Sequence, residues 1–329
     1  MKISVFSTKS YDQEYFEKFR KKYDFDIEYF ETALNHNTVN LAENSEAVCV
    51  FVNDELNEKT IKKLARKGIK LIALRCAGFN NVDLDAAKNE NIKVVRVPAY
   101  SPQSVAEHAI ALIFTLNRKT HKAYNRVREG NFSLKNLMGF NLGQKTIGVI
   151  GTGEIGATFC KIIHAFGCKV IAFDIYENQG LKELGVEYQP LNEVLHNSDI
   201  ISLHCPLNKE THHLINEESL KLMKDGVMII NTSRGALIDT AAVIDALMDE
   251  KIGYLGIDVY EQEENIFFED LSEHIIQDAQ ILRLMSFPNV LITSHQAFFT
   301  QEAMTEITTT TLNNIQAFKS GHDLTNEVK

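Results

Sequence analysis

Four side chains of complementary chemistry stand beside three apolar, strand-like runs of this 329-residue chain. Arg234 follows GVMIINTS in the stretch NTSRGALID. Asp258 lies in YLGIDVY, with Glu263 five residues on. His295 follows PNVLITS in ITSHQAFFTQEA. A guanidinium grips a carboxylate through its planar fork and polarises a neighbouring carbonyl. An imidazole gives or takes a proton near neutral pH, and a carboxylate beside it fixes the ring and favours its charged form. In the linear sequence His295 has no partner: the arginine and the carboxylates are about thirty to sixty residues away. Only a sheet whose strands end at one edge could assemble them.

The chain reads as such a sheet. Short β-branched runs (KISVFS, AVCVFV, IKLIALRC, IKVVRVP) alternate with amphipathic stretches such as YDQEYFEKFRKKY and NEKTIKKLARKG, the pattern of βα units on a parallel sheet. After VPAYSP one long helical stretch, QSVAEHAIALIFTLNRKTHKAYNRVREG, breaks the rhythm. A second series then runs through KTIGVIG, KVIAFD, DIISLHC, GVMIINTS, YLGIDVY and NVLITSH. The tail, TQEAMTEITTTTLNNIQAFKSG, reads as a helix ending at Gly321. The expectation is an α/β chain of two doubly wound parallel-sheet domains, Rossmann-like and flavodoxin-like, with a cleft between them. Residues 1–100 with 299–329 form a discontinuous substrate-binding domain, and 101–298 the second domain. The stretch EQEENIFFEDLSEHIIQDAQILRLMSF is poorly periodic and reads as an irregular surface excursion.

The second series opens with TIGVIGTGEIGATFCKIIHAFGCKVIAFD, a GxGxxG at Gly151, Gly153 and Gly156. A lone GxGxxG is weak. Here it follows an apolar strand, opens a helix and is followed by a second strand ending at Asp174. Gly151 serves the tight turn, Gly153 the approach of a pyrophosphate, and Gly156 the close packing of helix on strand. The helix N-terminus holds phosphates, and Asp174 accepts from ribose hydroxyls while repelling the extra phosphate of NADP. Thr152, Glu154 and Ile155 complete the loop. NAD is therefore the expected cofactor. Ligands of such sheets lie beyond the carboxyl ends of the strands, where Arg234, Glu263 and His295 also fall. That set suits hydride transfer to a 2-keto acid, with the arginine on the carboxylate and the histidine protonating the carbonyl oxygen.

Six blocks in order, RCAGFNNVDL, VPAYSPQSVAEHAIAL, GVIGTGEIG, INTSRGALID, GIDVYEQE and HQAFFTQEA, resemble the D-2-hydroxyacid dehydrogenase family over essentially the whole chain. The resemblance implies that Arg234 is the catalytic arginine, Glu263 its paired glutamate and His295 the acid/base. It places Asp258 near the nicotinamide carboxamide and Cys205, Pro206, Thr211, Thr232 and Ser233 along the cofactor groove. It assigns the substrate carboxylate to the loop Cys76, Ala77 and Gly78. Tyr100 and Phe298 would close the pocket over a small side chain, as in the members interconverting pyruvate and D-lactate. Larger 2-keto acids are the alternative, since one methylene is worth only about 1–3 kcal/mol of discrimination. The D configuration is implied by the resemblance alone. Two positions depart from the common pattern. Ser294 stands where a proline often precedes the histidine, altering the angle of His295, and Glu154 replaces a frequent histidine or arginine, facing solvent.

The remaining features read as ordinary structure. Adjacent residues face apart on a helix or strand, so His212 and His213 make no metal site, and no metal is expected. His164 and His204 read as core histidines, His108 as packing in the long helix, and Cys76 as a packed thiol. Cysteines 49, 76, 160, 168 and 205 form no CxxC and read as reduced. A net charge of −10 argues against nucleic acid, and no apolar run reaches the ~18 residues that span a bilayer. No secretory signal opens the chain, so a cytoplasmic protein is expected. In relatives the apolar helix after VPAYSP packs on a second subunit, which implies at least a homodimer, or a higher homo-oligomer; burial within one chain is the alternative. Some relatives are non-enzymatic NAD(H)-sensing corepressors, but that role goes with long disordered extensions that this sequence lacks.

Overall fold

The computed structural model describes residues 1–263 and 266–328. The chain divides into two compact units, Met1–Ser101 with Phe298–Lys329, and Pro102–Ala297. The first contains five parallel strands, β1 (Lys2–Val5), β2 (Asp26–Tyr29), β3 (Ala47–Val50), β4 (Leu71–Leu74) and β5 (Lys93–Val95). Their order is β2-β1-β3-β4-β5, the flavodoxin-like arrangement. Every residue of β3 and β4 is buried, because helices cover both faces of a parallel sheet. Side chains alternate between those faces: Ala47, Cys49, Leu71 and Ala73 join one core, Val48, Val50, Ile72 and Leu74 the other.

The second unit holds seven strands: β6 (Thr146–Ile150), β7 (Lys169–Phe173), β8 (Glu187–Tyr188), β9 (Ile200–Leu203), β10 (Val227–Asn231), β11 (Ile252–Ile257) and β12 (Val290–Ile292). The order is β12-β11-β10-β9-β6-β7-β8, all parallel. The first strand of the series, β6, lies centrally, and the order reverses between β6 and β9. This is the dinucleotide-binding arrangement with one strand added.

Two strands carried no clear signal in the sequence. β2 is half exposed and polar (DIEY), and β8 has only two residues. The long helical stretch after VPAYSP is two helices, Pro102–Arg118 and Thr120–Arg128. Proline opens the first, where its missing N–H costs nothing. Lys119 separates them in the left-handed region (φ +50°). The break lets the following segment fold back: the Asn117 amide donates to the Phe140 carbonyl and accepts from the Phe140 N–H. Apolarity of the first helix is satisfied within the chain, since Ala106, Ala109, Ile110, Ile113 and Leu116 are buried in the core shared with β6 and β10. Its composition therefore says nothing by itself about a second subunit. The tail helix spans Gln301–Lys319, and the weakly periodic stretch before β12 contains a helix, Ala279–Ser286.

Candidate active site

The glycine loop joins β6 to the helix Glu154–Ala165. Gly151 has φ +93°, and a Cβ there would lie 2.4 Å from the Cys205 nitrogen. A Cβ on Gly156 would sit 2.0 Å from the Gly151 carbonyl oxygen, so the helix packs on the turn only with glycine at both places. A Cβ on Gly153, which caps the helix, would meet nothing within 4 Å, and the residue is exposed. The helix N-terminus is thus uncovered at Gly153, the position at which a pyrophosphate would approach the backbone. Asp174, one residue past β7, accepts from the Thr152 N–H (2.5 Å) and hydroxyl (3.1 Å) through one oxygen, and from the Tyr176 N–H through the other. Two of these bonds fill one oxygen, and the oxygen that meets Tyr176 retains accepting capacity for a ribose hydroxyl. These residues fit a dinucleotide. Glu154 is exposed in the first helical turn, the favourable end for a negative charge.

Across the switch point, β9 is followed by His204 and Cys205. Ser233, past β10, donates its hydroxyl to the Cys205 carbonyl (2.8 Å), tying two strand ends together. Thr211 donates to the Pro206 carbonyl (2.7 Å), closing the next turn. Thr232 is buried and its hydroxyl has no partner among the described residues. Burial pushes His204 down to about 3, so its ring is neutral; it bonds the Ser202 hydroxyl (2.8 Å) and packs on Phe159.

An imidazole–carboxylate pair forms beyond β11 and β12. His295 Nδ1 lies 2.8 Å from Glu263 Oε1, and the other glutamate oxygen accepts from the Tyr260 N–H (2.9 Å). A carboxylate only accepts, so Nδ1 carries the proton and Nε2 is the nitrogen not engaged by Glu263. The ring of Phe268 packs on the imidazole at 5.8 Å. His295 itself is left-handed (φ +52°), a conformation that persists only where surroundings enforce it.

Asp258 enforces it. The residue is wholly buried at the end of β11, and its backbone carbonyl accepts from the His295 N–H (2.7 Å). Its carboxylate accepts from the N–H groups of Gln296 (2.9 Å) and Ala297 (2.7 Å) and from the Thr293 hydroxyl (2.5 Å). The Thr293 proton is thereby spent, so at the 3.0 Å contact with His108 the histidine Nε2–H donates. His108 Nε2 also lies 3.4 Å from the Asp258 carboxylate. The helix histidine read as mere packing is thus part of the clamp that shapes the His295 turn. Ser294 is exposed, and the turn is held by Asp258 and not by the residue preceding the histidine.

Although burial opposes ionisation of Asp258, the bonds from His108, Thr293 and Ala297 hold its carboxyl below the usual range. A lowered folded value means stability that is full above the ordinary carboxylate value, about pH 4, and lost as pH falls through the folded one. Asp258→Asn is expected to cost about 1–3 kcal/mol at pH 7. The difference from the parent in thermal unfolding should shrink below about pH 4; an equal difference at both pH values would mean that the charge is immaterial.

Arg234 lies three residues past β10, in extended backbone (φ −140°), and its Nη1 donates to the Ser233 carbonyl (2.7 Å). The Asn231 amide donates to the Arg234 carbonyl (2.8 Å), fixing the loop. β10, β11 and β12 are successive neighbours in parallel register. Arg234, Glu263 and His295 therefore follow the same carboxyl edge.

In the first unit, the loop Cys76–Gly78 follows β4. Its shape is held by Arg96 donating to the Ala77 carbonyl (2.7 Å) and by the Cys76 thiol on the Gly78 carbonyl (3.2 Å). Arg75, buried just before it, donates to the carbonyls of Phe6 and Ser7, pairs with Asp12 (3.4 Å) and stacks on Phe51. Phe298 meets Tyr100 edge-on at 5.9 Å and Phe51 at 6.4 Å. Arg75, Phe51 and Phe268 were passed over in the sequence and His108 was read as packing, since each looks there like a core or surface residue.

The sequence matches the model described as "D-isomer specific 2-hydroxyacid dehydrogenase, NAD binding domain" over residues 110–297. It is 56% identical over 321 residues to a 2-hydroxyacid dehydrogenase homolog of Haemophilus influenzae, covering 98% of this chain and 97% of that one. It is 52% identical to the D-lactate dehydrogenase of Escherichia coli, over the full length of both. Among solved structures, the pyruvate reductase of Chlamydomonas reinhardtii superposes with a TM-score of 0.95 at 46% identity, covering 99% of this chain and 98% of that one. With a dinucleotide loop at one strand end and a carboxylate-held histidine at another, this chain belongs to the D-isomer specific 2-hydroxyacid dehydrogenases, with an NAD-binding domain in its second unit.

Proposed function

We propose that this chain catalyses the NAD-dependent interconversion of pyruvate and D-lactate. The observation that carries the reading is the 2.8 Å pair of His295 Nδ1 and Glu263 Oε1, which leaves Nε2 free to exchange a proton. Bound NADH supplies the hydride. Arg234 grips the substrate carboxylate and polarises the adjacent carbonyl. His295 delivers its Nε2 proton to the carbonyl oxygen, and Glu263 stabilises the imidazolium and holds its plane. The loop Cys76, Ala77 and Gly78 offers backbone N–H groups to the carboxylate. Cys205, Pro206, Thr211, Thr232 and Ser233 line the cofactor groove, and Asp258 acts on the cofactor side by shaping the turn of His295. The contact of Tyr100 with Phe298 supports a pocket for a methyl-sized side chain.

The test is the loss of NADH absorbance across a panel of 2-keto acids, with chiral analysis of the product. Pyruvate should give the highest kcat/KM and D-lactate as product. A preference for branched or longer acids would move the reading to a larger-substrate member of the family, and no turnover with any 2-keto acid would sink it.

Glu263→Gln keeps the size of the side chain but loses the charge that favours the imidazolium. The kcat for pyruvate reduction should then fall while NADH affinity stays near that of the parent, because the ring loses the carboxylate that fixes its plane and balances the imidazolium formed in the reverse direction. An unchanged kcat would reduce Glu263 to surface charge.

The reading includes a homodimer in the cytoplasm. All five cysteines are free and buried, as suits a reducing compartment. Phe132, Leu134 and Met138 are exposed on the second unit, an apolar surface of the kind a second subunit covers. Light scattering should return twice the mass of one chain.

A further inference from the structure

We propose that His212, His213 and Glu261 form a binding site for a divalent transition-metal ion of the zinc class. The inference is independent of the dehydrogenase reading. The sequence expectation, that adjacent histidines face apart, fails on one backbone angle. His213 is left-handed (φ +51°), which turns its ring to the same side as its neighbour's, and the two rings stack with centroids 3.9 Å apart. His213 Nε2 meets Glu261 Oε1 at 2.6 Å, and one donor atom from each of the three residues lies within 4.8 Å of the other two.

The donors are arranged for an ion as well as for an ion pair. Glu261 Oε2 is held by the Thr240 hydroxyl (3.0 Å), which leaves Oε1 for the ion. The far nitrogen of His213, Nδ1, lies 3.9 Å from an Asp239 oxygen. At that distance the carboxylate makes no hydrogen bond, but its charge behind the ring favours a cation on the far side. The backbone is equally constrained. The His213 N–H bonds the Ala236 carbonyl (2.9 Å), and the preceding turn is closed by Asn208, which accepts from the N–H groups of Glu210 and Thr211.

Two imidazoles and one carboxylate are the donor set of zinc sites that keep a fourth position for water. Magnesium and calcium prefer all-oxygen sets. Bonds of about 2.0–2.2 Å in a tetrahedron place donors roughly 3.3–3.6 Å apart. The exposed ring of His212 closes the remaining gap by a side-chain rotation. On binding, the ion replaces the proton between His213 and Glu261, and that proton leaves to solvent. The ion then ties the 206–213 loop to the segment that carries Glu263, two residues beyond Glu261.

Chelator-treated full-length protein titrated with Co2+ provides the test. One Co2+ per chain should give the visible absorption of a tetrahedral site, displaced by Zn2+ and not by Mg2+. Zn2+ should raise the thermal midpoint of the parent. His212→Gln, at an exposed position that the fold does not need, should weaken Co2+ binding by roughly 10–100-fold or more, since even outer-shell changes cost that much. Glu261→Gln should do the same. A parent that binds no Co2+ at this stoichiometry, or a His212→Gln variant that titrates like the parent, would overturn the site. Neither readout depends on turnover, so a failed dehydrogenase assay leaves this test standing.

Discussion

His295→Gln should lower kcat for 2-keto acid reduction by roughly 10²–10⁴-fold, the usual worth of a positioned general acid. Glutamine retains hydrogen-bonding capacity and approximate size, and it can still meet Glu263, so the turn at 293–297 should survive. That turn is anchored through Asp258 to the backbone N–H groups of residues 295, 296 and 297, none of which the substitution removes. NADH affinity, which rests on the glycine loop and Asp174, should therefore stay near that of the parent. Fluorescence titration of NADH with stopped-flow turnover separates the two effects. Activity within a few-fold of the parent would remove the histidine from the mechanism, whereas a parallel loss of NADH binding would make it a structural residue.

Arg234→Lys should reduce kcat/KM by roughly 10²–10³-fold, on the scale of losing one preorganised donor at a developing oxyanion. The charge survives this change, so simple electrostatic attraction predicts little effect. The planar fork does not survive. One arm of the guanidinium is already committed to the Ser233 carbonyl at 2.7 Å, which sets the plane of the rest. An ammonium on a flexible stem cannot hold that carbonyl and also make two parallel bonds to a carboxylate. Steady-state kinetics at saturating NADH would register the loss in both KM and kcat, because the same group binds the carboxylate and polarises the carbonyl. An unchanged kcat/KM would place Arg234 in the structure of its loop only.

Legibility in the sequence followed the range of the interaction. The glycine loop was readable because its requirements are local: a positive φ at Gly151, a crowded Gly156 and a strand-end Asp174 all lie within 24 residues of chain. Buried strands such as β9 and β10 were readable because parallel strands covered on both faces are nearly all apolar. The assignment of Glu263 to His295 came from the family resemblance; without it, Glu263 is one acid among three in EQEE, singled out only by its offset from Asp258. His108 was missed because its partner Thr293 is 185 residues away and nothing about a histidine in a helix announces that contact. Phe268 was missed because its segment has no period to read.

Backbone conformation was the other blind spot. Left-handed angles at non-glycine residues carry no compositional mark, yet Lys119 splits a helix, His213 aligns two rings and His295 presents an imidazole. Each is stabilised by bonds from distant chain and not by the residue's own preference. What the sequence determined by itself was the alternation of strands and helices, the dinucleotide loop and the strand ends at which reactive groups must lie, since period and local sterics encode these directly. Only the tertiary structure decided how those groups are held. The buried carboxylate of Asp258 gathers donors from residues 108, 293, 296 and 297, and it does so because a charge removed from water must be satisfied by whatever the fold brings within reach.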